Sequence, residues 1–122
     1  GRLLANETAP RVHNSGHWTI EGAATSQFEN HLRAILGLPL GATRARGHAA
    51  MINLIGEMPS REQWLGNREL HWHDYGKTAR PQRKLGHITI LGETARERDT
   101  AARRLLAAID PASLREWRAR TR

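Results

Sequence analysis

The chain contains no cysteine, so it can have neither a disulfide framework nor thiolate chemistry, and a reducing, cytoplasmic setting is compatible with it. Aromatic residues are scarce, at 5% of positions with a single Tyr and a single Phe. No helix-turn-helix, RNA-recognition or zinc-finger pattern accompanies them, so the formal net charge of +7 is not read as nucleic-acid binding. Much of the Arg sits late, in 96–104 and 115–122, mixed with Ala, Leu and Glu at helical spacing, as on a solvated helix face. No apolar run approaches the roughly 18 residues of a membrane span, and the first residues lack the pattern of a secretory signal. There is no GxxxxGK[ST] loop, so a nucleotide is not held in the P-loop manner, and no HExxH pair for zinc.

What is present fits one mixed α and β unit of 122 residues, 39% hydrophobic and 25% charged. Its densest stretch is NETAPRVHNSGHWT, residues 6–19, with a carboxylate, an Arg, two His and two Asn. Arg2 to Ala5 reads as a strand that Pro10 cannot continue. A carboxylate at a strand tip, followed by hydrogen-bonding side chains, is an arrangement that holds a metal and an oxyanion. The alternative is a solvated polar loop. Because this strand has nothing before it to pair with, the chain is expected to begin mid-fold.

Further along, Thr19 to Ala24 reads as a turn leading into a helix. Ser26 to Glu29 form a capping box, and Phe28, Leu32, Ile35 and Leu36 recur at helical spacing, so this helix is expected to bury one face until Gly37 and Pro39 end it. After a loop to Gly47, residues 49–55 (AAMINLI) form a buried strand, and Ser60 to Leu65 a short helix. Residues 70–75 (LHWHDY) read as a strand closed by Gly76. Residues 86–91 alternate His87, Thr89 and Leu91 against Ile88 and Ile90, as a half-buried strand does. Thr94 and Glu97 box a helix running to Ile109, with Ala101, Leu105, Ala108 and Ile109 inward. A last helix opens at Pro111, where Leu114 and Trp117 dock.

Two clusters can carry chemistry. Lys77 to Lys84 (KTARPQRK) gathers Lys77, Arg80, Arg83 and Lys84 in eight residues around Pro81. Such crowding costs like-charge repulsion unless an anion, most naturally a phosphate, neutralises it. The alternative is an exposed basic loop relaxed by water and salt. Among possible metals, zinc is disfavoured: Asn14-Ser15-Gly16 argues against a helix aligning His13 with His17, while His71 and His73 on one strand face are a packed or surface pair. Glu7 suits a hard cation such as Mg2+, although one carboxylate needs a partner from elsewhere.

The blocks NETAPRVHNSGHWTIEGAATSQFENHLRAILGLPLG, AMINLIGE, LHWHDYGK and RPQRKLGHITI, in order over residues 1 to about 91, resemble the C-terminal third of the 5-(carboxyamino)imidazole ribonucleotide synthase family of ATP-grasp enzymes. The resemblance implies an α+β fold: residues 1–45 as the C-terminal portion of an ATP-grasp domain, and 46–122 as a small C-terminal α+β domain. It further implies a carbon-nitrogen ligase of purine biosynthesis. In it ATP, with Mg2+, phosphorylates bicarbonate to carboxyphosphate, and the carboxyl group passes to the amine of aminoimidazole ribonucleotide.

Carried over by position, Asn6 and Glu7 resemble the nucleotide and magnesium pair, with Glu7 on the metal. Arg11, His13 and Asn14 resemble the catalytic residues around bicarbonate and ribonucleotide. Lys77, Arg83 and Lys84, assisted by Arg80, resemble the holders of the ribonucleotide phosphate. Gln82 stands where the family usually has Gly (RPGRK). The family's ATP-binding lysines, adenine hinge and second magnesium carboxylate lie upstream, so the chain is expected to be a fragment inactive alone. Its partner would be the N-terminal part of the same enzyme, which in the family is a cytoplasmic homodimer. The competing reading is a stand-alone basic module binding nucleotides or RNA.

Overall fold

The computed structural model describes residues 4, 5, 7–60, 62 and 66–109. Its centre is a three-stranded antiparallel sheet ordered β1-β3-β2, with β1 at His48–Ile55, β2 at Leu70–Asp74 and β3 at Lys84–Gly92. All three strands fall where the sequence reading expects them. The register lines up Ile52, Ile88 and Trp72 in one row and Ala50, Ile90 and Leu70 in the next, giving an apolar face. Helix α3, Ala95–Ile109, lies on that face and completes the core with Ala101, Ala102, Leu105 and Leu106. Each of these leucines removes a full side chain from water, contributing roughly 1.5–3 kcal/mol.

The start of α3 is fixed by a reciprocal capping box. Thr94 Oγ1 accepts from the Glu97 N–H (3.2 Å) while Glu97 Oε2 accepts from the Thr94 N–H (3.2 Å). Ala108, expected inward, is exposed: Leu106 takes the inner position instead, one step round the helix.

The opposite face of the sheet is more polar, carrying Asn53, His87 and His73 in one row and Met51, Thr89 and His71 in the next. The half-buried expectation for β3 fails here, because His87 and Thr89 are 1% and 0% exposed. The cover is a short helix, α1 (Thr19–Gly22), where the sequence reads as a turn. Gly22 is buried, and a Cβ there would come within 2.6 Å of the Trp18 ring and 3.1 Å of Ala49 Cβ, so glycine lets α1 lie against the sheet.

Helix α2, Gln27–Ile35, forms as predicted. Ser26 Oγ accepts from the Glu29 N–H (3.1 Å), but the Glu29 carboxylate turns to Arg33 one turn on (2.7 Å) rather than back to the cap. At the other end Gly37 is left-handed (φ +68°), and the Leu38 and Gly37 N–H groups close on the Arg33 and Ala34 carbonyls. The expected burial of its apolar face does not occur. Leu32, Ile35 and Leu36 are 56%, 65% and 69% exposed, since no element of the described residues packs on them. Leu4 and Ala5 are not in a strand, and residues 2 and 3 of that predicted strand lie outside the described residues, as do most of the 60–65 helix and all of the helix from Pro111.

Candidate functional site

The polar loop is built around Gln27. Its amide Oε1 accepts from the His13 N–H (3.0 Å), and its Nε2 donates to the His13 carbonyl (2.7 Å) and to His17 Nδ1 (2.7 Å). One side chain at the start of α2 thus stands in for a strand partner and holds the loop in place. His13 then caps a single 3-10 turn at Asn14–Gly16, its Nδ1 accepting from the Ser15 N–H (3.2 Å). That leaves the proton on Nε2, which donates to Glu7 Oε1 at 2.5 Å. Glu7, Ala9, Arg11, His13 and Ser15 line an open cleft of about 300 Å3.

Asn14, next along, accepts through Oδ1 from the Lys84 ammonium, 70 residues away in sequence. Lys84 opens β3 at the end of the basic bend. The two clusters therefore meet in one path through adjacent residues, Glu7 to His13 and Asn14 to Lys84. Lys77 joins it through Tyr75: its Nζ is 5.1 Å from the ring centroid, and that of Lys84 is 5.4 Å away. Burial and then the charge of Lys77 push the Lys84 pKa down from its ordinary value.

The rest of the bend is spent on its own fold. Arg83 N–H donates to the Arg80 carbonyl (3.1 Å), closing a turn with Pro81 second and Gln82 third. Gln82 takes φ +60°, the left-handed conformation a type II turn requires at that position and the reason glycine suits it. The Arg83 guanidinium donates to the Thr78 carbonyl (3.2 Å), and Arg80 is exposed. Neither reaches the Glu7 path. Asn6 lies outside the described residues.

Around Tyr75 is a partly buried group that sequence reasoning missed. The Tyr75 hydroxyl is 2.6 Å from His87 Nδ1; the His87 ring stacks on that of His73 (4.3 Å, 12° between planes); and His73 Nε2 donates to Glu21 Oε1 (2.6 Å) on α1. His17 stands 5.6 Å from His87 and 5.0 Å from Phe28. Burial, then the charges of His73, Lys84 and His17, push His87 down to about 4, so it is neutral at pH 7. Burial pushes the Tyr75 phenol up, so it stays protonated and donates. The one local signal was the strand alternation over 70–75 that puts His71, His73 and Tyr75 on the same side.

Two family models match parts of the chain. Residues 1–28 match the ATP-grasp domain and residues 49–101 the phosphoribosylaminoimidazole carboxylase C-terminal domain. The loop that carries Glu7 and the sheet that carries Lys84 are thus two pieces of an ATP-grasp protein. An N5-carboxyaminoimidazole ribonucleotide synthase of Pseudomonas aeruginosa is 59% identical over 90 residues, 74% of this chain and 25% of its own length. The crystal structure of the corresponding synthetase from Thermus thermophilus superposes with a TM-score of 0.82 at 57% identity, covering 86% of this chain and 29% of that one. An Aspergillus clavatus synthase, solved in complex with ADP and 5-aminoimidazole ribonucleotide, gives 0.74 at 41% identity over 82% of this chain and 29% of that one. The chain belongs to the N5-carboxyaminoimidazole ribonucleotide synthase family, and it spans about a quarter of the length of the curated relatives it matches.

Proposed function

We propose that this chain supplies one wall of the active site of an ATP-dependent ligase that carboxylates aminoimidazole ribonucleotide with bicarbonate, in purine biosynthesis. Two hydrogen bonds on adjacent residues, His13 to Glu7 and Lys84 to Asn14, carry the reading, because they bring a carboxylate suited to Mg2+ toward cations suited to a sugar phosphate. Among the described residues no three His, Asp or Glu converge on a metal; Glu7 would supply one oxygen ligand to Mg2+ and Asn6 would bind the nucleotide, the remaining ligands coming from elsewhere. Bound ATP and Mg2+ would supply the phosphoryl group and neutralise its oxygens. Arg11, exposed on the rim of the cleft with Glu7 and His13, stabilises charge on the group being transferred. His13, with its Nε2 proton directed at Glu7, and Asn14, fixed by Lys84, orient bicarbonate and ribonucleotide. Lys77 and Lys84 hold the ribonucleotide phosphate, and Arg80 and Arg83 of the same bend assist.

Within that enzyme we assign residues 1–45 to the ATP-grasp portion and 46–122 to the small C-terminal domain. The other wall comes from the N-terminal part of the same protein, and the whole works as a cytoplasmic homodimer. No helix among the described residues is long and apolar enough to cross a membrane.

The experiment is ribonucleotide-dependent ATP hydrolysis by the full-length protein, or by this chain mixed with the N-terminal part. Glu7→Gln removes the anionic ligand with little change of shape and lowers turnover about 100-fold or more. Near-normal turnover in that variant refutes the metal role.

A further inference from the structure

We infer that Tyr75 is a positioning residue for the phosphate-binding lysines, its ring gathering Lys77 and Lys84 while leaving both of their charges available to an anion. The inference rests on the ribonucleotide site proposed above. Two ammonium groups near one ring, 5.1 and 5.4 Å from its centroid, repel each other. Proteins commonly offset such repulsion with a carboxylate, but that would cancel the charge a phosphate needs. Among the described residues neither lysine is paired with a carboxylate. The negative face of an aromatic ring attracts cations without neutralising them and occupies none of their N–H donors. The ammonium of Lys84 keeps two donors beyond the one given to Asn14.

Tyr75 is held at both its backbone and its hydroxyl. The Tyr75 N–H donates to the Leu85 carbonyl (2.9 Å), which extends the β2–β3 ladder, and its hydroxyl bonds to His87 Nδ1 (2.6 Å). His87 is fully buried and stacked on His73, which Glu21 anchors to α1. A rigid ring fixes where the cations sit, and this chain has only one tyrosine.

The test is steady-state kinetics of the full-length protein, or of this chain with the N-terminal part, with both substrates varied. Tyr75→Leu removes the ring and is expected to raise KM for aminoimidazole ribonucleotide roughly 10-fold, with KM for ATP within about 2-fold of the parent. Tyr75→Phe keeps the ring and restores the ribonucleotide KM to within about 3-fold of the parent. If Tyr75→Leu does not fold, as judged by its melting transition, Tyr75→Met fills similar volume without a π-face and takes its place. A parallel rise in both KM values, or Tyr75→Phe as impaired as Tyr75→Leu, overturns the inference. Lys84→Ala separates the two levels. If it raises the ribonucleotide KM while loss of the ring does not, the role of Tyr75 is wrong and the site stands. If it leaves that KM unchanged, the phosphate site fails and the inference with it.

Discussion

Acid should destabilise this protein through one buried imidazole. His87 is 1% exposed, and its folded pKa of about 4 lies well below the ordinary 6.5. The unfolded chain therefore binds a proton at His87 between those values that the folded chain does not, and stability rises with pH across that window. The contribution is fully present above about pH 6.5 and is lost as pH falls toward 4. Each pH unit within it removes about 1.4 kcal/mol, so the whole span removes about 3 kcal/mol. That is a large part of the stability of a small domain. His17 is also pushed down, by burial and then by Lys84, and adds to the loss in the same direction.

Urea unfolding at pH 7, 5.5 and 4 measures the total. His87→Asn, which cannot titrate, isolates the term, since carboxylates contribute to parent and variant alike. The parent should lose about 3 kcal/mol more than the variant between pH 7 and pH 4. Parallel losses in the two proteins, or an NMR titration placing the His87 imidazole near 6.5, would refute the reasoning.

Two further substitutions probe the scaffold. Gln82→Gly relieves a left-handed backbone at φ +60° and should stabilise by about 0.5–1 kcal/mol after the extra freedom of glycine in the unfolded state is subtracted; a lower melting temperature would contradict the turn assignment. Leu105→Ala, at a 0% exposed position between α3 and the sheet, should cost about 2–5 kcal/mol in denaturant unfolding, and a cost below about 1 kcal/mol would show that α3 does not close the core.

The sheet and α3 were legible because their signals are local. The compact apolar run AAMINLI and the alternation in GHITIL mark two strands, and the Thr94–Glu97 box marks a helix start within four residues. Local pattern fails where the answer depends on a distant layer. The periodicity of Phe28, Leu32 and Ile35 says which side of α2 is apolar, but nothing in it says whether another element covers that side. In β3 the same blindness had the opposite result: His87 and Thr89 looked solvent-facing by composition, and only α1, folded back from more than 60 residues earlier, buries them. The site shows both cases. Glu7 and the basic bend stood out as clusters of unusual composition, and the resemblance supplied their roles. Gln27, Glu21, His73 and Tyr75 did not stand out, because each acts through one long-range contact that residue type alone does not announce.

The two faces of the sheet divide stability from chemistry. Ile52, Ile88, Ile90, Leu105 and Leu106 make a dry layer against α3. On the other face Glu21 Oε2, Asn53 Oδ1, His87 Nε2 and Thr89 Oγ1 are buried without a protein partner among the described residues. A buried polar atom without a partner costs about 1–3 kcal/mol, so four of them are an expensive way to line an interface that leucine and valine could fill. The arrangement makes sense if that face must hold Tyr75, His17 and Lys84 in fixed positions. A hydroxyl–imidazole–imidazole–carboxylate stack has directional contacts at each step, whereas aliphatic packing would let the ring slide. The apolar face against α3 offsets that cost, and the geometry of the lysines depends on the polar one.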